Sequence, residues 1–422
     1  MTASGGTKPW PSIPQAIALA LAFWPVASAA MTVEDALALA IARHPELAAA
    51  QADVRAAHTD VKVAKAGYLP SISASGGPQD ASPDRWAYDV TAAQMVHDWG
   101  QVKGKLRGAR ATERQRREEW KVARDAAVLD VIETYLDVLL ARRQYETDVA
   151  QIAALEDLAQ MTGLRAESGY ADRSEPDRAR LELARARQRM ASDEGAIHDA
   201  ANQFETLVGT PPEVLVTPAP RSMIAILESA DTQALIDEAP VYRKALEDTA
   251  YARAQYDETR ASALPQLNVE ASALSREIGG HMQSDSILAL RLRMNPMQGL
   301  SSFDRTQGAQ DRVAAAQWKE AAARRDIERR LRNLVTTGQA LAEQARALEA
   351  QVAGAGELGG LYREQFEVGR RDIVDLVTVQ REHFDARRSL DEVQLQLVRV
   401  QYQIAAQLGR LDALVELPRE QP

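Results

Sequence analysis

The sequence predicts a mainly α protein, built from long α-helical hairpins and two short β-hairpins. Aromatic residues make up only 5% of the chain, and Ala, Arg, Glu, Gln and Leu dominate, which is typical of long packed helices. Residues 101–161 contain no proline, so a continuous helix there would be about 90 Å long. A strand-like alternation precedes that helix, and a second one precedes a similar stretch from residue 301.

Both alternating stretches have the period of two that a strand requires. One face of the first carries Trp86, Tyr88, Val90 and Ala92. In the second, a row of apolar side chains lies opposite Arg291 and Arg293, and the row is Leu288, Leu290, Leu292 and Met294. The helical pattern begins after Gly100 in the first case and after Pro296 and Gly299 in the second, so we expect strand-to-helix turns at these residues.

The same landmarks recur about 200 residues apart. The pairs are Gly100 with Gly299, Gly169 with Gly369, and Gly209 with Gly409, at separations of 199, 200 and 200 residues. A unit of this length is too long for a solenoid repeat. The chain is therefore predicted to contain two copies of one module made of a helix, a β-hairpin and two long helices.

The first copy is expected to span residues 30–209. Thr32 precedes acidic residues and is a candidate N-cap for a helix that reaches about residue 66. A β-hairpin at about 68–97 follows, with a weak first strand at 71–75. The long helix from 101 is expected to break at about 163–176, at a hairpin tip near Gly169, and a second long helix then runs to about residue 207.

Residues 210–239 are rich in proline and are predicted to be a connector, the equatorial region, between the copies. The second copy is expected at 240–412, with a helix at about 232–261 that begins inside the connector. Strands are predicted near 265–274 and 286–294, within a hairpin at about 264–296. Helices at 301–356 and 372–410 follow, with a tip near Gly369 between them, and residues 413–422 form a C-terminal tail.

The first 29 residues are predicted to be a secretory signal peptide. Lys8 precedes an apolar run from Ile13 to Val26, and residues 27–29 give the A-x-A pattern of a cleavage site. No later stretch approaches the roughly 18 consecutive apolar residues of a membrane-spanning helix. We therefore expect an exported protein without an inner-membrane anchor.

Charge and composition exclude several classes of function. The net charge of −10 argues against general binding to nucleic acid or to anionic membrane surfaces. The absence of cysteine rules out disulfides and thiolate metal sites. The six histidines are scattered without metal-ligand spacing, and no nucleophile has a neighbouring base. We expect no enzymatic activity, no cofactor and no metal.

Two hairpins give four strands, and four strands cannot close a barrel that leaves no edge unpaired in a bilayer. Closure is expected to come from oligomerisation, since three chains would supply twelve strands, an even count typical of outer-membrane barrels. The predicted fold class is therefore mainly α with membrane β. In it, a trimer forms a 12-stranded β-barrel that an α-helical barrel continues.

With its signal-like N-terminus, duplicated module and the motifs HDWG and NPMQG at the strand exits, the chain resembles the TolC family of outer-membrane channels over residues 31–412. The resemblance implies a homotrimer in contact with outer-membrane lipid, extending into the periplasm. It also implies two partners, a periplasmic adaptor and an inner-membrane ABC or proton-driven transporter. The C-terminal module from Tyr362 is most similar to the branch that serves type I protein secretion.

The resemblance also implies a gate at the periplasmic tips. The family's glycine, arginine and first gate aspartate match Gly369, Arg371 and Asp375, and the second gate aspartate falls on Thr378. Phe366 stands where a latch tyrosine would be. At the first tip, the residues that receive the arginine match Ser174 and Glu175, with Gly169 as the anchor and an unusual proline, Pro176, just beyond. One acidic ring, instead of two, is the expectation.

Plainer interpretations stand beside these. Asp375 could instead be an ordinary solvated helix residue. Arg371 and Glu175 could be surface charges that contribute under about 1 kcal/mol as a pair. Arg291 and Arg293 either line the pore or snorkel on an ordinary strand.

Among functions, a type I protein secretion duct leads. Its alternatives are a small-molecule efflux channel of the same fold and, in a different class, a soluble periplasmic adaptor or structural rod. The two alternating segments favour the channel, because a soluble rod has no use for separate hairpins with an apolar outer face.

Overall fold

The computed structural model describes residues 30–78, 86–169, 172, 174–278, 281–294 and 301–416. The predicted signal peptide at 1–29, the predicted turn residues Pro296 and Gly299, and the end of the C-terminal tail lie outside the described residues.

The chain order is helix, hairpin, helical hairpin, connector, and then the same plan again. The first half contains α1 (Val33–Ile41), α2 (Pro45–Ala66), β1 (Ser71–Pro78), β2 (Trp86–His97), α3 (Gln101–Glu167) and α4 (Ser174–Val208). The connector contains α5 (Met223–Ser229) and α6 (Thr232–Glu238). The second half contains α7 (Pro240–Ser262), β3 (Gln266–Ile278), β4 (His281–Arg293), α8 (Ser301–Glu367), α9 (Ile373–Leu408) and a 3-10 turn (Leu411–Ala413).

The four strands form one antiparallel sheet in the order β1-β2-β3-β4. The register places Ile72 opposite Ala92, Ala92 opposite Ala271 and Ala271 opposite Leu288, so these side chains share a face. That face is apolar, yet its side chains are unusually exposed for apolar residues. The exposed fraction of Leu288, for example, is 77%. The opposite face carries serine, threonine and charged residues, including Asp89, Glu270 and Arg291.

A strand-to-helix turn at residues 98–100 starts α3 without an extended linker. The Asp98 carboxylate accepts hydrogen bonds from the Gly100 N–H at 3.0 Å and the Val102 N–H at 2.6 Å, which satisfies two donors at the helix start. Gly100 has a φ of 99°, as the predicted turn requires. Next to it, Trp99 donates from Nε1 to the Pro265 carbonyl at 2.9 Å, which ties this turn to the second repeat.

The helices continue the sheet as a layer. α2, α3, α7 and α8 pack side by side in that order, while α4 packs along α3 and α9 along α8. A Cβ at Gly104 would lie 2.9 Å from the Glu258 backbone, so the glycine permits the close approach of α3 and α7.

The main core lies where the connector wraps the middle of the layer. It combines α1, α5 and α6 with the central turns of α3 and the end of α9, and its largest fully buried side chains include Tyr135, Phe204 and Tyr402. The Tyr135 hydroxyl lies 2.8 Å from the Met31 carbonyl and 2.7 Å from the Val216 carbonyl, within donating distance of either. None of the described helices is both long enough and apolar enough to cross a membrane.

Several element bounds differ from the sequence prediction. The first helix is two helices, because Pro45 starts α2 at its first position, and likewise Pro240 separates α6 from α7. The long helices do not break early: α3 passes through Gly163 to reach residue 167, and α8 also reaches 367. Pro176 lies in the first turn of α4, where its missing N–H costs nothing. The strands are longer than predicted, to residue 78 in β1 and across 266–278 and 281–293 in β3 and β4.

Candidate functional site: the hairpin tips and the polar face of the sheet

Each of the two hairpin tips contains a glycine in the left-handed conformation. Gly169, between α3 and α4, has a φ of 75°, and Gly369, between α8 and α9, has a φ of 74°. These left-handed conformations favour glycine, and the equal angles place the turns where the sequence predicted them. In each repeat this glycine lies just after the end of a 67-residue helix.

A small apolar cluster holds the two tips of one chain together, and we call it the tip cluster. Its buried members come from both repeats and are Leu158, Ala179, Phe366, Ile373, Leu376 and Val377. Phe366, a predicted latch residue, is fully buried here. Within one chain its side chain therefore packs in the tip cluster, and a part in a latch between chains stays a prediction.

Arg165 crosses from the first repeat to the second beside this cluster. Its guanidinium carbon lies 4.3 Å from the centre of the Phe366 ring, and Nη1 donates to the Phe366 carbonyl. Its Nε lies 3.9 Å from Glu175 Oε2, a loose ion pair. Sequence reasoning missed Arg165. The available signal was its position four residues before Gly169, where the second repeat has Gln365 four residues before Gly369.

Arg371 has partners from its own hairpin. Its guanidinium carbon lies 4.0 Å from the centre of the Tyr362 ring, and Nη1 donates to Asp375 Oδ2 at 2.8 Å. Nε donates to Gln365 Oε1 at 3.3 Å. The structure thus brings Arg371 and Asp375 together within one chain, and it leaves Glu175 beside Arg165. A pair between Arg371 and Glu175 stays a prediction for contacts between neighbouring chains.

Two further predicted gate residues lie at helix starts. Ser174 is the first residue of α4 and is exposed. Thr378 lies one turn into α9, and its hydroxyl donates to the Val374 carbonyl at 2.7 Å. That bond is internal to the helix, so Thr378 contributes no charge to the tip.

The polar face of the sheet gathers three charged side chains near the helices, and we call them the sheet triad. Arg291 Nε lies 2.9 Å from Glu270 Oε2, and Arg293 pairs with Glu270 Oε1. The Glu270 side chain is 4% exposed, whereas the arginines are more than half exposed. Sequence reasoning found both arginines but missed Glu270, which stands on β3 directly opposite Ala289.

The comparisons with known proteins follow the same outline. The model of the family "Outer membrane efflux protein" matches residues 36–210 and 233–415, one segment for each repeat. The chain belongs to the outer membrane efflux protein family. Because this family consists of channels, the soluble rod is no longer an alternative, and the protein resides in the outer membrane with its helices in the periplasm.

Three relatives share similar sequence identity with this chain. Protein CyaE of Bordetella pertussis is 25% identical over 315 residues, covering 69% of this chain and 66% of CyaE. The pyoverdine export outer membrane protein OpmQ of Pseudomonas aeruginosa is 24% identical over 409 residues, covering 90% of this chain and 84% of OpmQ. The alkaline protease secretion protein AprF of the same organism is 25% identical, covering 67% of this chain and 61% of AprF. The chain thus spans less than two thirds of CyaE and of AprF.

Among solved structures, the fold matches that of CusC with a TM-score of 0.81 at 14% identity, covering 89% of this chain and 92% of CusC. CusC itself forms a transmembrane channel. At this identity the likeness concerns the fold alone, and it confirms the predicted TolC-type architecture of membrane β-strands continued by long helices.

Proposed function

We propose that this chain is the outer-membrane exit duct of a type I protein secretion system. Three copies close their four-stranded sheets into one barrel, and the helical layers continue it as a tube across the periplasm. A periplasmic adaptor and an inner-membrane ABC transporter supply the energy, and the duct itself does no chemistry.

One observation carries the duct: the sheet has an apolar face and a charged face, and a 67-residue helix follows β2 and β4 in the chain. A sheet in lipid needs an apolar outer face, while its inner face borders water. Arg291 and Arg293 lie on the charged face, so they line the pore in this proposal. The exposed leucines of the other face meet lipid.

Two relatives bear on the cargo of the duct. AprF is named for the secretion of an alkaline protease, which favours protein cargo. OpmQ is named for the export of pyoverdine and covers more of the chain, which favours the second candidate, efflux of small molecules. The residues that line a passive duct do not identify its cargo. An export assay is what distinguishes protein secretion from small-molecule efflux.

We further propose that the tips close the tube in its resting state. Three-fold symmetry would place the three Asp375 side chains in one acidic ring, where like charges repel and attract cations from the periplasm. Arg371 is the compensating charge: it already pairs with Asp375 in one chain, and it is 34% exposed and so accessible to Glu175 of a neighbouring copy.

The test has two stages. Membranes are first fractionated, and the mature chain is expected in the outer membrane as a detergent-stable trimer; recovery as a soluble periplasmic monomer would contradict the duct. A deletion strain is then assayed for polypeptides in the medium and for retention of a small dye. Loss of a secreted polypeptide with normal dye efflux supports type I secretion, and the reverse result supports small-molecule efflux.

A further inference from the structure

A cavity of about 520 Å³ lies where the end of α9 meets the start of α7, with α3 and α8 as its side walls. Along α3 it is about 60 Å from the tip and about 35 Å from the sheet. It is therefore separate from the gate residues and from the sheet triad.

Asp125 of α3 is the buried charge in this cavity wall, with a side chain only 5% exposed. Its Oδ1 accepts from Arg124 Nη2 at 3.0 Å. Its Oδ2 is buried and has no hydrogen-bond partner among the residues that the structure describes. A buried carboxylate oxygen without a donor is costly, so a ligand that brings a donor gains what the protein leaves unsatisfied.

The electrostatic surroundings of Asp125 are mixed. Burial raises the pKa of Asp125 to about 6; Arg124 and Lys121 on the same helix lower this pKa, and Asp412 in the 3-10 turn raises it. Arg330, which lines the cavity from α8, is an exposed residue, so water and salt screen its charge. At neutral pH the carboxylate is therefore largely ionised. Arg124 bonds to its Oδ1, and Oδ2 is left without a hydrogen-bond partner among the described residues.

The rest of the wall is suited to an amphipathic ligand. Side-chain amides come from Asn333, Gln403 and Gln407, and apolar surface comes from Leu129, Val241 and Leu334. An ammonium group has three N–H donors and no acceptor, so it complements a carboxylate oxygen and amide oxygens together. A carboxylate or phosphate ligand would bring a second negative charge to Asp125.

We propose that this cavity binds small organic cations that carry a primary ammonium group on an apolar body. The ammonium donates to Asp125 Oδ2, and the apolar body packs against α3, α7 and α8. The proposal does not depend on the identity of the exported cargo, because binding is measured on the purified protein without transport.

The test is calorimetric titration of the detergent-purified protein with cyclohexylammonium, and with cyclohexanol as the neutral ligand of matched shape. Saturable binding of the ammonium at pH 8 is expected, with at least tenfold weaker binding of the alcohol. At pH 5 the amine stays protonated, whereas only about one tenth of Asp125 is ionised. The affinity of the protein for the ammonium ligand should therefore fall about tenfold. Equal binding of both ligands would overturn the proposal.

Two variants and one control complete the experiment. Asp125→Asn keeps the shape of the side chain and should abolish the difference between ammonium and alcohol. Ala406→Leu fills the cavity from α9 without touching the carboxylate and should weaken both ligands, which keeps the test decisive if Asp125→Asn does not fold. Asp137→Asn removes an exposed carboxylate from the same helix and should bind like the parent. Undiminished ammonium binding in either cavity variant places the site elsewhere.

Discussion

The two repeats share a backbone but use their charges differently, and the tips show this most clearly. Gly169 and Gly369 adopt the same φ within a degree, 200 residues apart. At the first tip Arg165 reaches across to Phe366 of the other repeat, whereas at the second Arg371 stacks on Tyr362 of its own helical hairpin. Both aromatic partners come from the second repeat. The first tip thus contacts the second through Arg165, whereas Arg371 of the second tip contacts only its own helical hairpin among the described residues and stays about one third exposed.

The middle of the long helices differs in the same way. Asp125 of α3 is buried in a cavity wall, and Arg325, its counterpart 200 residues later in α8, is exposed and bonds to the Ala321 carbonyl at 3.3 Å. Duplication therefore preserved the helix and its length but not its buried polar groups. Variants in each repeat test these differences, with the largest effect expected at Asp125 and the smallest in the barrel.

The largest effect on stability is expected from Asp125→Asn. The folded-state pKa of about 6 lies above the value near 3.8 of the unfolded chain, so the ionised carboxylate destabilises the fold. This cost is absent below about pH 4, grows as the pH rises through 6, and reaches up to about 3 kcal/mol above it. Thermal unfolding followed by circular dichroism should show a higher midpoint for the variant at pH 8 and no change at pH 4.

Asp137→Asn is the matched control for this measurement. Its carboxylate is about half exposed and pairs with Arg399, a pair worth under about 1 kcal/mol, so the midpoints should move little. A variant that is less stable than the parent at pH 8 would show that Asp125 forms a structural ion pair with Arg124 that outweighs its burial.

The next effect concerns the link between the tips. Arg165→Gln gives the first tip the residue that the second has at position 365, and it removes the stacking on Phe366 and the bond to the Phe366 carbonyl. We expect a loss of about 1 to 3 kcal/mol at the tip cluster. Single-channel recordings should show higher conductance, and limited proteolysis should cut faster near residue 169.

Arg180→Gln is the control for this variant, since Arg180 pairs with Asp177 on the surface of α4 and both side chains are more than two thirds exposed. It should behave as the parent does. If Arg165→Gln leaves conductance and proteolysis unchanged, the fastening of one tip to the other comes from the apolar cluster alone.

The comparison of the tips also shows what the sequence can predict. Glycine spacing and helical periodicity are local signals, so the two modules, their tips and Gly100 were predictable, and the fold class is confirmed. Arg165, Glu270 and Asp125 were not found, because each matters through a partner or a cavity wall on another helix or strand. The sequence does not show whether a charged residue on a helical face contacts water or the other repeat. The family pattern supplied Arg371 and Asp375, but it did not show that they pair with each other.

Arg371→Glu tests the second tip. Within one chain it replaces the pair with Asp375 by two like charges, and between chains it would also face Glu175. Each exposed pair is worth under about 1 kcal/mol, but three copies add, so a shift of about 1 to 3 kcal/mol in the opening equilibrium is expected. Conductance should rise, by less than in Arg165→Gln if the internal link is the stronger one.

The control is Arg370→Glu, which makes the same charge change at the adjacent exposed residue. Equal effects of the two variants would mean that net charge near the tip, and no specific contact of Arg371, sets the conductance. A parent-like Arg371→Glu with the trimer intact would remove Arg371 from the latch.

The smallest effect is expected in the barrel, where the repeats also differ in sign. On the polar face the first hairpin carries Asp89, whose Oδ1 accepts from the Thr91 hydroxyl at 2.9 Å, while the second carries two arginines that share Glu270. If this face lines the pore, Arg291→Glu with Arg293→Glu should shift the reversal potential in planar bilayers towards cation preference. Glu270→Gln should shift it towards anion preference, because it removes the only negative charge of the sheet triad. Since Arg291 and Arg293 are more than half exposed, salt screens their charges, and the shift from the double arginine variant should shrink at high ionic strength. Shifts of opposite sign in the two variants are the decisive result. Shifts of the same sign, or no shift, would mean that the sheet triad lies away from the ion path and that the apolar face lines it.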